Sequence, residues 1–346
     1  MLLLAAACSS TDPGDPTAQS TVPTSTVGPT DTASAGPTAS AEPTGSAGPS
    51  MTGAPSGSAG PSSAPGVSGS QLAAALAQVA PATDGGRPYF EYGNTKTLVA
   101  LSAKDKGWIG LEAAGMGSLG SYARVVKDVL GIDPLAADWA VSVNNPPAAV
   151  TLLRGGQDAA LIAERAGKGG WTGTDVLSTK MDASKKDYAS YTVVAPRIRP
   201  MGTDVAYGGI SSKPEQVDVT ATGADQVWAD AVACLGDVVA ATGAGALPAF
   251  DSPVAVGVRV EGEAATGVIC LVQSSEQQAQ DRVAAVKKDL ADGSSRTSRQ
   301  PWSKVLPDAQ VDTVGPVVRI TSTGQPVTAS RVFSMLAQSD FPGGRG

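Results

Sequence analysis

The sequence predicts an α+β fold in which mixed or antiparallel sheets are packed by helices. Three observations carry that expectation. Short β-branched runs occur in pairs around turns, several longer segments carry apolar faces with helical spacing, and two stretches repeat one order of elements. In the first stretch, Ala140–Gly169, a strand leads through an Asn-Asn-Pro-Pro turn into Val150–Leu153 and then a helix opening at Gln157-Asp158. In the second, Val256–Leu290, a strand leads through Glu-Gly-Glu into Val268–Gln273 and a helix opening at Ser274-Ser275. Asp158 and Ser275 are both good helix caps. This parallel predicts two similar β-β-α-containing halves, 70–205 and 206–346, sharing a core.

Each element follows from local pattern. Residues 71–80 read as a short Ala/Leu helix. Strands are expected at Thr97–Ser102, Trp139–Val143, Ala149–Leu153, Tyr191–Ala195, Asp204–Tyr207 and Val217–Thr220. Later strands are expected at Val254–Val260, Gly267–Gln273, Val311–Val314 and Val317–Ser322. Helices are clearest at Ala224–Ala241, Ser275–Ala291 and Thr328–Gln338. In the first of these, Val227, Ala231, Cys234 and Val238 form one apolar row, with Trp228, Val232, Leu235 and Val239 one position on. In the second, Ala279, Val283, Val286 and Leu290 form the buried stripe, and Lys287 and Lys288 sit near the negative end of the helix dipole.

The N-terminal region is of another kind. An apolar run, Met1–Ala7, ends in Leu-Ala-Ala-Ala-Cys8. Residues 9–69 then hold Ser, Thr, Pro, Gly and Ala with no aromatic residue, Lys or Arg, too little apolar surface to offset the entropy of ordering. Such a linker, read as disordered, has a coil dimension of roughly 40–50 Å. The junction resembles the processing site of a bacterial lipoprotein. That resemblance implies lipidation of Cys8, a lipid bilayer as partner, and an address on the extracytoplasmic face of the cell membrane. Seven residues without a basic one precede Cys8, which predicts a longer signal whose start lies upstream.

An exported chain meets an oxidising compartment, and removing Cys8 leaves the even pair Cys234 and Cys270. A disulfide is expected between them, stabilising by roughly 3–4 kcal/mol in the chain-entropy model; the alternative is two buried thiols.

Charge and missing residue types narrow the function. Net charge is −7, but Asp12, Asp15, Asp31 and Glu42 lie before residue 70, leaving 25 basic against 28 acidic residues beyond it. A weakly acidic domain argues against nucleic acid as a partner. The chain has no histidine, which removes His-based nucleophilic triads, His general bases and imidazole metal sites. No metal site and no cofactor is expected. Carboxylate or Ser-Lys hydrolysis survives the exclusion, but the Ser-Asp-Asn and Lys-Thr-Gly companions of the latter are missing from the sequence.

Gly115-Met-Gly117-Ser-Leu-Gly120 has the form G-x-G-x-x-G, between an expected strand at Trp108–Glu112 and an expected helix at Tyr122–Leu130. Glu112 interrupts the apolar run a buried parallel strand needs, and Gly131-Ile-Asp-Pro134 supplies a turn where a second strand should follow. The glycines are therefore expected to serve loop geometry.

The stretch Asp133–Asp158 resembles a segment of secreted, cell-envelope lipoproteins of high-GC actinobacteria, a group without an assigned activity. The resemblance implies an envelope address and an α+β fold. Its distinctive positions, Trp139, Arg154 and Asp158, are candidate ligand-binding residues; their structural alternatives are a core anchor, a strand exit and a helix cap. The reading favoured is a non-enzymatic, membrane-anchored lipoprotein that presents a binding domain to an envelope protein or the wall. A carrier or sensor of a small apolar or lipid ligand is the alternative, and a hydrolase ranks last.

Overall fold

The computed structural model describes residues 70–79, 88–221, 228–245, 247, 252–262 and 264–344. All belong to one contact unit, Gly66–Gly346. Cys8, the linker 9–69 and the first residues of the helix expected at Ala224–Ala241 lie outside the described residues.

Along the chain run α1 (Gln71–Gln78), β1 (Tyr89–Gly93), α2 (Thr95–Lys104), two 3-10 turns at Lys106–Leu111 and Gly117–Tyr122, and α3 (Val126–Leu130). Then come β2 (Trp139–Val143), β3 (Val150–Arg154), α4 (Ala159–Lys168), β4 (Leu177–Ser178), α5 (Ala189–Val194), β5 (Arg197–Met201) and β6 (Asp204–Gly208). The rest are α6 (Ala229–Leu235), β7 (Ala240–Ala244), β8 (Val254–Glu261), β9 (Ala264–Val272), α7 (Glu276–Asp292), α8 (Trp302–Val305), β10 (Gln310–Val314), β11 (Val317–Gly324), α9 (Pro326–Ala329) and α10 (Arg331–Gln338).

Among the described residues, eleven strands join one antiparallel sheet, in the order β10-β11-β9-β8-β7-β1-β2-β3-β6-β5-β4. The fold class is thus α+β. β1 and β7 pair at the centre, and the strands outward from each follow one order: β1-β2-β3-β6-β5 on one side, β7-β8-β9-β11-β10 on the other. β6 runs through residues 205 and 206, where the sequence divides the halves.

Strand alternation assigns side chains to two faces. On one, Phe90, Tyr92, Val141, Leu152, Ala255 and Cys270 pack against α1 and α6 through Leu72, Leu76, Trp228 and Val232. Phe90 and Trp228 meet edge to face at 4.8 Å between centroids. The other face holds two clusters. Val254, Val256, Ile269 and Ile320 lie under α2, α7, α9 and α10, while Ala140, Leu153, Ile198 and Tyr207 lie under α3, α4 and α5.

The expected disulfide is present. Cys234 of α6 and Cys270 of β9, both buried, are linked with their Cα atoms 6.1 Å apart. It fastens the helix to the sheet from the side opposite α7. Arg259 of β8 completes the attachment by donating to the carbonyls of Cys234 (2.8 Å) and Leu235 (2.6 Å) at the end of α6.

Several expected elements take another form. Thr97–Ser102 is not a strand but part of α2, because Asn94 caps it by accepting from the Thr97 amide at 3.1 Å and Leu98 and Ser102 bury one face. Tyr191–Ala195 is helical as α5 over most of its length, and Trp108–Glu112 is largely a 3-10 turn. Val217–Thr220 forms a turn, held by the Asp218 carboxylate accepting from the Thr220 amide and hydroxyl. The helix expected to reach Ala241 stops at Leu235, because Gly236 adopts φ +63° and redirects the chain into β7. The helix expected at Tyr122–Leu130 is helical only from Val126, and Thr328–Gln338 is split between α9 and α10 at Ser330.

Candidate functional site

The three residues singled out in the Asp133–Asp158 stretch have structural partners. Trp139 begins β2 and is 8% exposed within the core. Arg154 lies opposite it in register at the end of β3 and forms an ion pair with Asp204 of β6. The second oxygen of Asp204 accepts from the Gly155 amide at 2.8 Å, so one carboxylate closes the strand exit. Asp158 caps α4, accepting from the amides of Ala160 and Leu161 at 3.0 Å each. The fold therefore brings Trp139 and Arg154 together and gives Asp158 to a helix terminus.

The glycine loop presses on the sheet. Gly115 and Gly117 have φ +77° and +51°. A Cβ on Gly115 would lie 2.3 Å from the Ala140 carbonyl oxygen, and one on Gly117 would lie 2.4 Å from Thr151 Oγ1 and 2.8 Å from Ser142 Oγ. The segment before the loop is a 3-10 turn, so the strand-loop-helix context of a dinucleotide fingerprint is not formed.

Beneath that loop the sheet carries a polar feature that no sequence motif marks. Thr242 pairs with Glu91, Glu91 with Ser142, Ser142 with Thr151, and Thr151 with Tyr207, across five adjacent strands. Directly paired residues share a face, so these five make one polar row between the two apolar clusters. Thr151 Oγ1 donates to Ser142 Oγ at 3.0 Å, and the Tyr207 hydroxyl donates to the Met116 carbonyl of the glycine loop. At the central strand the Tyr89 hydroxyl donates to Glu91.

Burial raises the pKa of both phenols. Burial, reinforced by the Glu91 carboxylate, pushes Tyr89 well above the ordinary tyrosine range. Burial does the same to Tyr207. Both hydroxyls donate, that of Tyr89 to Glu91 and that of Tyr207 to the Met116 carbonyl. The row is built to hold polar groups in fixed directions. Its sequence signal was present but faint: a single Glu, Ser or Thr inside Tyr-Phe-Glu-Tyr, Val-Ser-Val and Val-Thr-Leu reads as ordinary alternation until the strands are paired.

A second polar centre lies in the helical layer. Glu112, 9% exposed, accepts from the hydroxyl of Ser102 and from the Arg124 guanidinium. Around this pair a cleft of about 230 Å³ is walled by Ile109, Ala113, Val125 and Leu135. Ile109, Val125 and the Arg124 guanidinium are exposed at its rim, while Glu112 is buried. Among the described residues, no group of three or more His, Cys, Asp or Glu is placed to hold a metal ion, and no helix is long and apolar enough to cross a membrane.

No protein-family model matches the chain, and neither does any curated protein. Among solved structures it is similar to TP0453 in two crystal forms. Form I has a TM-score of 0.37 at 11% identity, over 75% of this chain and 97% of that chain. Form IV has a TM-score of 0.36 at 10% identity, over 75% of this chain and 96% of that chain.

Proposed function

We propose that this is a lipid-anchored protein of the extracytoplasmic membrane face whose α+β domain binds a partner without chemistry of its own. The observation that carries the reading is the buried Cys234–Cys270 disulfide, which ties α6 to the sheet and suits an oxidising compartment. It supports the export implied by Cys8 and the Ser/Thr/Pro linker. The binding reading is supported by the cleft beside Glu112 and Arg124, whose aliphatic rim residues Ile109 and Val125 are exposed. The polar-row hydroxyls of Ser142, Thr151 and Tyr207 are buried and bonded within the protein, and so belong to its framework.

Cys8→Ser tests the anchor. The variant is expected in the soluble fraction with an unchanged melting temperature, because about sixty linker residues separate position 8 from the core. Retention of this variant in membranes would count against lipidation. The Glu112–Arg124 cleft favours a second reading, a carrier of a small amphiphile whose anionic head meets the half-free guanidinium. Native mass spectrometry of membrane-extracted protein separates the two, since a carrier retains a small ligand.

A further inference from the structure

The two ends of the sheet are finished differently. At one end β4 has two residues, and its outer side is occupied by Thr172, whose amide and carbonyl bond to Ser178 at 2.9 and 2.8 Å. At the other end β10 offers five residues. β10 and β11 are joined by the two-residue turn Gly315-Pro316, with Val314 opposite Val317 as the closing pair. In such a hairpin the closing pair is hydrogen-bonded and every second pair after it, so Asp312 and Gln310 bond inward to β11. The amides and carbonyls of Val311 and Thr313 point outward, and among the described residues no strand lies beyond them. Proteins usually blunt an edge of this kind with Lys, Pro or a bulge. β10 has none of these, and its one charge, Asp312, is taken by Arg319 of β11.

Beside this edge lies a cavity of about 400 Å³, between the C-terminal half of α7, the segment 303–309 and the start of β10. Leu290, Leu306 and Val311 give it aliphatic walls. Lys287 and Asp308 are its two charged lining residues; Lys287 is exposed, with no ion pair among the described residues. Val311 and Thr313 face the α7 side, since they pair with Ile320 and Val318 of the cluster under that helix. A strand added to β10 would send alternate side chains toward the same side.

The geometry points to β10 as a docking edge for an extended peptide segment of another protein. That segment adds as a twelfth strand, places an aliphatic side chain in the cavity, and sets an acidic side chain two positions away against Lys287. Backbone bonding to Val311 and Thr313 supplies affinity, and the cavity and Lys287 supply selectivity. A second copy of this chain fits less well: the symmetric register that pairs all five residues of β10 sets Asp312 against Asp312. The proposal gives a partner class to the binding reading above and rests on it; it does not depend on lipidation of Cys8.

Fluorescence anisotropy on the full chain tests it, with the labelled peptide Thr-Thr-Leu-Thr-Glu-Thr-Thr as probe and its Lys-for-Glu counterpart as control. The unsubstituted protein is expected to bind the Glu peptide at least ~10-fold more tightly than the Lys peptide. Thr313→Pro removes an outward donor without touching an inward ladder bond, and binding should be lost at an unchanged melting temperature. Lys287→Glu, at an exposed position, should reverse the preference between the peptides and guards against misfolding of the proline variant. Equal binding of both peptides, undiminished binding by folded Thr313→Pro, or a dimer abolished by Thr313→Pro would overturn the proposal. Repeating the titration with Cys8→Ser separates it from anchoring: peptide selectivity without membrane release, or the reverse, tells which reading has failed.

Discussion

At the scale of residues, glycine chemistry decides how the sheet is covered. Gly117 has a positive φ and lies so near Thr151 and Ser142 that a methyl group would meet both hydroxyls. Gly117→Ala is expected to cost about 1–3 kcal/mol, from the left-handed backbone and from displacing the loop off the polar row. Denaturant unfolding measures this, and a loss below ~0.5 kcal/mol would mean the loop can yield. Added dinucleotide should leave the melting temperature of either protein unchanged, because the loop is closed against strands β2 and β3. The motif could be read from the sequence, but its purpose could not. Only the pairing of Ser142 with Thr151 reveals what the glycines approach.

At the scale of elements, hairpins with strong alternation were legible and elements held by their neighbours were not. Val254–Val260 and Gly267–Gln273 are dense in β-branched residues, and they appear as β8 and β9 with ends shifted by a few residues at most. β7, Ala-Ala-Thr-Gly-Ala, has almost no strand propensity and is a strand because β1 and β8 bond it on both sides. α2 and α5 show the opposite conflict, since Thr-Leu-Val and Tyr-Thr-Val-Val read locally as strand. In α2, burying Leu98 and Ser102 on one face outweighs that preference. The disulfide belongs to this scale, because it joins an element with seven helical residues to the sheet. Cys234→Ala and Cys270→Ala should each lower stability by about 3–4 kcal/mol, with the double variant no worse than either. Additive losses, or two alkylatable thiols in unreduced, unfolded protein, would contradict a single covalent unit.

At the scale of the molecule, the two sides of the sheet repeat a strand order while sharing their central contact. β1 and β7 pair along five residues, and Trp228 from one side packs on Phe90 from the other. We propose that the two sides are similar halves that cannot be separated. Chains 70–221 and 222–346 made apart should each lack a cooperative thermal transition, because each would expose a central strand edge and half of the core beneath α1 and α6. A cooperative transition in either alone would show an independent domain.

The sequence by itself determined the α+β class, the strongest hairpins, the helix caps at Asp158 and Ser275, and the pairing of Cys234 with Cys270. These rest on periodicity, capping chemistry and cysteine parity, which need only neighbouring residues or a count. The tertiary structure alone decided the central position of β1 and β7, the polar row from Thr242 to Tyr207, and the different endings of β4 and β10. Each of these depends on which strands lie side by side. A polar residue in one strand gains meaning from the residue bonded beside it, and an edge exists only once every other strand has found a partner.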